Sequence, residues 1–233
     1  LKFLALVTMV IDHIGYFLYP DQLWLRAFGR TAFPIFFFLI GYSRTFPLHI
    51  ELFFYASVVM ISRWVFGYDL LTADILVTAI VVRCILKIMH RYNYLSEPRL
   101  EAVIVAFTLS APMFLLLSYG PIALLFALAG HYTRLQFPVF WRYGVLVLAL
   151  VLHALITYSA FEFSYLQLGV VLVIYLSLIP LLSLTPKPTF RYAGPAQKYL
   201  KYFSRNTLQW YALHIVVLHF WARALPHLAN PML

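Results

Sequence analysis

The chain has one cysteine, Cys84, among 233 residues. A single thiol excludes an internal disulfide and a thiolate metal cage. Charge is also scarce. Asp, Glu, Lys and Arg make up 11% of the residues, less than half of the about 25% found in soluble domains. Acids are the rarest class, 8 against 17 lysines and arginines. No Gly/Ser-rich linker, low-complexity tract or fixed-period repeat divides the sequence, so residues 1–233 read as one unit. G-x-S-x-G, H-E-x-x-H and a Gly-rich phosphate loop are missing, which removes the common soluble hydrolase, metalloprotease and nucleotide-binding signatures.

What fills the chain is apolar. Hydrophobic residues make up 64% of it, and the mean hydropathy is +0.86. This composition predicts an all-α, polytopic integral membrane helix bundle. Apolar runs of about crossing length occupy 2–19, 29–44, 48–67, 71–90, 100–118, 143–159, 164–184 and 207–225. A shorter one, 120–133, follows the turn "SYGP". About nine transmembrane segments are therefore expected. Lys2 precedes the first run as it would in a signal peptide. No small-x-small cleavage site follows, and Asp12-His13 breaks its apolar centre, so it reads as a retained helix.

With the N-terminus in the cytoplasm, Arg26, Arg30, Arg63 and Arg223 fall outside, and the other thirteen of the 17 basic residues fall inside. That asymmetry predicts N-in, C-out with nine crossings. It also explains the net charge of +9 without nucleic acid as a partner. The basic inner loops are 85–99 and 185–205, and within the second "AQKYLKYF" reads as an amphipathic piece lying on the membrane.

Three stretches carry chemistry. "LALVTMVIDHIGYFLYP" places Asp12 and His13 side by side inside an apolar helix. At 1.5 Å per residue His13 lies about 17 Å from the inner edge. An ionisable residue at such depth is a functional candidate, and a neutral imidazole is suited to taking a proton near pH 7. The competing reading is a polar pair that glues helices together. Neighbouring helical positions lie about 100° apart, so one of the two does chemistry and the other anchors or orients. In "RAFGRTAFPIFFFLIGYSR", Arg26 and Arg30 stand one turn apart at the outer mouth, where Arg30 is placed to hold a carboxylate, phosphate or developing oxyanion. Interfacial snorkelling is the plainer alternative. In "TLQWYALHIVVLHF", Tyr211 and His214 share a helix face, and His219 reads as an interface residue. His214, His219 and His227 lack metal spacing, and no metal is expected. Inner-side Arg44, Arg83, Lys87 and Arg134 read either as plain positive-inside topology or as a phosphate-binding cluster. Glu51 and Asp74 lie in apolar segments without a nameable partner.

"LKFLALVTMVIDHIGYFLYP" followed by "LRAFGRTAFPIFFFLIGYSR" resembles the opening of the TraX family of membrane acetyltransferases, associated with conjugation and pilin acetylation. "TADILVTAIVV" and "SYGPIALLFALAGHY" resemble later blocks, and "FSRNTLQWYALHIVVL" resembles the S-x-x-L-x-x-Y-x-x-H helix of the wider membrane acyltransferase group. The resemblance runs through most of the chain; its specific part is D-H-I-G with G-R-x-A-F-P. Where relatives often carry a glutamate after the glycine of the second helix, this chain has Tyr42.

The resemblance implies acetyl-CoA as donor and a peptide (pilin), lipid or glycan acceptor, in a bacterial inner membrane. His13 becomes the general base or acetyl-carrying nucleophile, with Asp12 and Arg30 as its catalytic companions. Tyr16, Tyr211 and His214 become substrate contacts, and Arg44, Arg83, Lys87 and Arg134 bind CoA phosphates. Two other classes stay open: a proton-coupled transporter or flippase, and a non-enzymatic subunit of a pilus or secretion machine. Paired Gly/Pro-broken helices in matching halves, which would favour transport, are absent.

Overall fold

A computed structural model describes residues 1–68, 74–110, 120–183 and 195–224, the side chains of 195–197 excepted. Among these residues the protein is helical throughout: α1 Lys2–Phe17, α2 Leu23–Gly29, α3 Ala32–Tyr42, α4 Ile50–Val65, α5 Ile75–Arg91, α6 Leu100–Ser110, α7 Gly120–Arg134, α8 Val139–Phe161, α9 Tyr165–Ser183, α10 Pro195–Arg205 and α11 Thr207–Ala224. It is a helical membrane protein. Residues 111–118, the basic stretch with Lys187 and Arg191, and His227 lie outside the described residues.

Local chemistry sets several boundaries. Asp74 caps α5 by accepting the Leu76 backbone N–H at 2.8 Å. Pro138 precedes the first turn of α8, and Glu162 ends it in the left-handed region at φ 50°. Pro34 falls in the first turn of α3, where its missing N–H has no helical acceptor to lose.

Among the described residues, three helical stretches are long and apolar enough to cross a membrane: Leu23–Tyr42, Val139–Phe161 and Tyr165–Ser183. The sequence led us to expect nine. The difference has a physical cause. Helices α1 and α4 have 16 residues, α5 has 17 and α7 has 15, below the about 20 of a full apolar span. Gly120–Thr133 of α7 is buried throughout, while α1, α4 and α5 bury one face and leave the other exposed. Several spend their apolar length on polar groups: Asp12 and His13 in α1, Ser62 and Arg63 in α4, His214 and His219 in α11. By contrast α8 and α9 turn Val147, Leu155, Val173 and Leu176 outward.

The short run 120–133 is a true helix and the most enclosed one. Every residue from Gly120 to Thr133 is buried. It packs on α3, α5, α6 and α8. Contact with α3 is backbone to backbone. A Cβ on Gly41 would stand 1.6 Å from the Ala127 carbonyl oxygen, and one on Gly130 would stand 2.0 Å from the Phe38 carbonyl oxygen. Reciprocal glycines permit this approach, as small residues do where helices cross in membranes. On the other side α1 packs on α2, α3 and α11, while α4 packs on α5 and α11. The polar site lies among α1, α2, α4, α5 and α11.

The run expected from residue 29 begins earlier, at Leu23, and breaks at Arg30-Thr31 between α2 and α3. Arg26, placed by the sequence at the outer mouth, therefore lies within a helix, α2. It is buried, 6% exposed, with its charge met by an acid on α1.

Candidate active site

Helix α2 crosses α1 at Gly29. A Cβ there would lie 2.3 Å from the Asp12 Cβ, so only glycine lets the two backbones meet. The next residue, Arg30, then wraps the Asp12 carboxylate. Its Nε donates to Oδ1 at 3.1 Å and its Nη2 to Oδ2 at 2.6 Å. Arg26, one turn back, pairs with Oδ2 at 2.9 Å and donates to the Asp12 backbone carbonyl at 2.8 Å. Both guanidiniums lie over the Phe161 ring, at 4.7 and 4.5 Å. Both cations share the Asp12 carboxylate.

Asp12 therefore does not hold the His13 imidazole. It anchors the arginines, and His214 does the orienting. His13 Nδ1 lies 2.9 Å from His214 Nε2, and His214 Nδ1 lies 2.9 Å from the Trp210 carbonyl oxygen. A carbonyl can only accept, so His214 carries its proton on Nδ1. With both rings neutral, His214 Nε2 accepts from His13 Nδ1–H. These hydrogen positions follow from the partners. They leave the His13 Nε2 lone pair as the basic end of the chain.

Tyr211, on the same face of α11, packs its ring edge-on to His13 at 6.0 Å. Its hydroxyl donates to both oxygens of Asp74, at 2.8 and 2.7 Å. Asp74 thus has the partner the sequence could not name, 137 residues away. His219 is buried, 1% exposed, so the interface position expected for it is corrected. Its Nδ1 lies 2.7 Å from Ser62 Oγ, and its ring stacks on Tyr68 at 4.5 Å. The aromatic cage of Phe17 and Tyr68 draws it inward.

Two cavities converge here. An outer one of about 290 Å³ is lined by His13, Tyr16, Arg26, Arg30, Arg63 and His219, among others. An inner one of about 280 Å³ opens at the end of the bundle that carries the start of α1, beside Lys2, Arg83 and Arg205. Met9, Ile75 and Tyr211 line both, and form the wall between them.

Of the residues singled out from sequence, His13, Asp12, Arg30, Tyr16 and Tyr211 line the outer cavity, and His214 touches His13 from behind. Tyr16 is half exposed at the mouth, beside Arg26. Arg83 lines the inner cavity and donates to the Pro47 carbonyl at 3.1 Å. Arg44 and Lys87 are exposed outside it, and Arg134 lies by His131 under α7. Sequence reasoning missed Lys2 and Arg205 at the inner mouth, Ser62 and Arg63 in α4, and the buried His153–Tyr175 pair, joined at 2.5 Å. A histidine in each of two apolar runs, α8 and α11, was the one available signal. Among the described residues no cluster of three or more His, Cys, Asp or Glu could hold a metal.

A family model described as "TraX protein" matches residues 1–221. The chain belongs to the TraX family. A Rickettsia prowazekii (strain Madrid E) protein, "Uncharacterized protein RP591", is 25% identical to it over 234 residues, covering 94% of this chain and 90% of the relative. No solved structure matches. The match takes in both histidines of the chain that ends on Trp210 and both arginines on Asp12. In this TraX-family chain Tyr42 sits at the end of α3 with its ring 6.0 Å from Phe38.

Proposed function

We propose that this TraX-family protein is a membrane-embedded acetyltransferase. It moves an acetyl group from acetyl-CoA, reached from the cytoplasm, to an acceptor amine or hydroxyl reached from the opposite side. The acceptor the family resemblance implies is the N-terminus of a pilin subunit. The protein is a single domain of about nine passes in a bacterial inner membrane, N-terminus inside. The shorter helices cross with neighbours covering one face, and Gly120–Thr133 is covered on every side.

One observation carries the reading: a basic-mouthed inner cavity and an outer cavity share Met9, Ile75 and Tyr211 in their linings, and His13 lines the outer one. The inner cavity suits a thioester donor. Its depth is lined by Phe36, Phe37, Leu39 and Ile40, which suit an uncharged arm, and its mouth by Lys2, Arg83 and Arg205, which suit phosphates. The donor supplies an acetyl carbonyl activated by a sulfur leaving group.

His13 Nε2 takes the proton of the acceptor nitrogen or oxygen as that atom bonds the acetyl carbon. The imidazolium that forms keeps Nδ1–H on His214, whose tautomer the Trp210 carbonyl maintains. The Arg26 and Arg30 guanidiniums, positioned by Asp12, stabilise charge developing on the carbonyl oxygen. When the carbon–sulfur bond breaks, His13 returns the proton to sulfur. Transfer through an acetyl-His13 uses the same groups in two steps.

The test is acetyl transfer and slow thioester hydrolysis by purified protein in nanodiscs, beside the His13→Ala variant. Turnover in the parent and none in a folded variant is the expected result. An active His13→Ala protein would refute the mechanism. The two opposed cavities also suit a proton-coupled transporter, in which the His13–His214 pair carries the proton. Gradient-driven flux without thioester consumption would select that reading.

A further inference from the structure

Helix α10 is set at the inner mouth and the catalytic scheme above makes no use of most of it. Its last residues, Ser204 and Arg205, line the inner cavity. Lys198, Lys201 and Arg205, spaced three and four residues apart, form one basic face. Phe203 fixes the helix to the bundle, its ring 5.8 Å from Phe3 and 5.1 Å from Trp210. The basic face, with Tyr199, Tyr202 and Asn206, lines an open hollow that shares Arg205 with the inner cavity. Lys198, Lys201 and Arg205 are all exposed, and the segment Pro195–Arg205 contains no acid to neutralise them.

We infer that the basic face of α10 is the docking site for the phosphate-bearing nucleotide end of the donor, continuing the inner cavity outward from Arg205. This rests on the acetyl-CoA reading of the inner cavity. That cavity can take the uncharged arm, but among the described residues its own mouth offers three cations and also carries Glu51. A nucleotide with a pyrophosphate and a further phosphate brings more negative charge than the mouth alone offsets. Lys198 and Lys201 extend the cationic track by two turns of helix, and Tyr199 and Tyr202 offer ring faces beside it for a base. The arrangement predicts selectivity: CoA is held at both ends, whereas a bare pantetheine arm uses the cavity alone. Exposed tyrosines and lysines also suit anionic lipid headgroups; the donor is favoured because the basic face is continuous with a cavity through one shared arginine.

The experiment is calorimetric binding of CoA, dephospho-CoA and pantetheine to the full chain in nanodiscs of neutral lipid. Parent and Lys198→Gln/Lys201→Gln protein are compared, with Lys198→Glu/Lys201→Glu as the stronger variant. These positions are exposed, and an unchanged melting temperature checks the fold. We expect the Gln pair to weaken CoA roughly tenfold and the Glu pair further. Dephospho-CoA should lose less, and pantetheine should bind all three proteins alike. Equal CoA binding by parent and both variants would overturn the inference and leave the acetyl-CoA reading standing. So would an effect of the variants confined to discs containing anionic lipid, which would make the face a lipid surface. A folded parent that binds no CoA would sink both readings.

Discussion

Replacing Asp12 by Asn keeps the side-chain volume and removes the charge that two arginines share. Asp12 Oδ2 lies 2.9 Å from Arg26 and 2.6 Å from Arg30, and the three side chains are 13%, 8% and 9% exposed. That burial decides the magnitude. An exposed ion pair contributes about 0–1 kcal/mol. Deleting one partner of a buried pair costs about 3–5 kcal/mol, because the attraction is lost while the cost of burying the other charge stays. For a chain of this length roughly 2–4 °C of melting temperature goes with each kcal/mol, so Asp12→Asn should melt about 6–20 °C lower. The assay is thermal unfolding in detergent, followed by intrinsic fluorescence. The double variant Asp12→Asn/Arg30→Gln removes one of the stranded cations and should recover part of the loss. If Asp12 instead oriented His13, as its place in the sequence suggested, Asp12→Asn would lose activity at unchanged stability. An unaltered melting temperature would therefore refute the anchoring role.

Gly41→Ala should express poorly or melt well below the parent, since its Cβ would fall 1.6 Å from a backbone oxygen; the cost is at or above the upper end of the about 1–3 kcal/mol typical of overpacking. Tyr211→Phe removes the hydroxyl that bonds both oxygens of buried Asp74, and should cost about 1.5–3 kcal/mol, the worth of a hydrogen bond to a charged group. Chemical denaturation of the two proteins side by side would measure it. Nitrogen-15 NMR of histidine-labelled protein should find both His13 and His214 with the proton on Nδ1, because the chain ends on the Trp210 carbonyl. An Nε2–H form of His214 would contradict the assignment.

The sequence by itself determined that this is a helical membrane protein, and it singled out His13. Apolar runs and a lone ionisable pair are local signals, readable without a partner. It also marked Gly29-Arg30 as one motif. Only the crossing of α2 over α1 shows why the two residues go together: glycine admits the Asp12 backbone and arginine takes its carboxylate. Arg26 read as a residue of the outer mouth, because the acid that meets it, Asp12, comes from another helix. Asp74 and Tyr211, and Ser62 and His219, are 137 and 157 residues apart, and no local pattern links such pairs. The division of labour between Asp12 and His13 was likewise a tertiary decision. Adjacent residues on a helix face different neighbours, so the carboxylate went to α2 and the imidazole to α11. Which neighbours stand there is settled by packing, through the close crossing at Gly29 and the contact of α1 with α11.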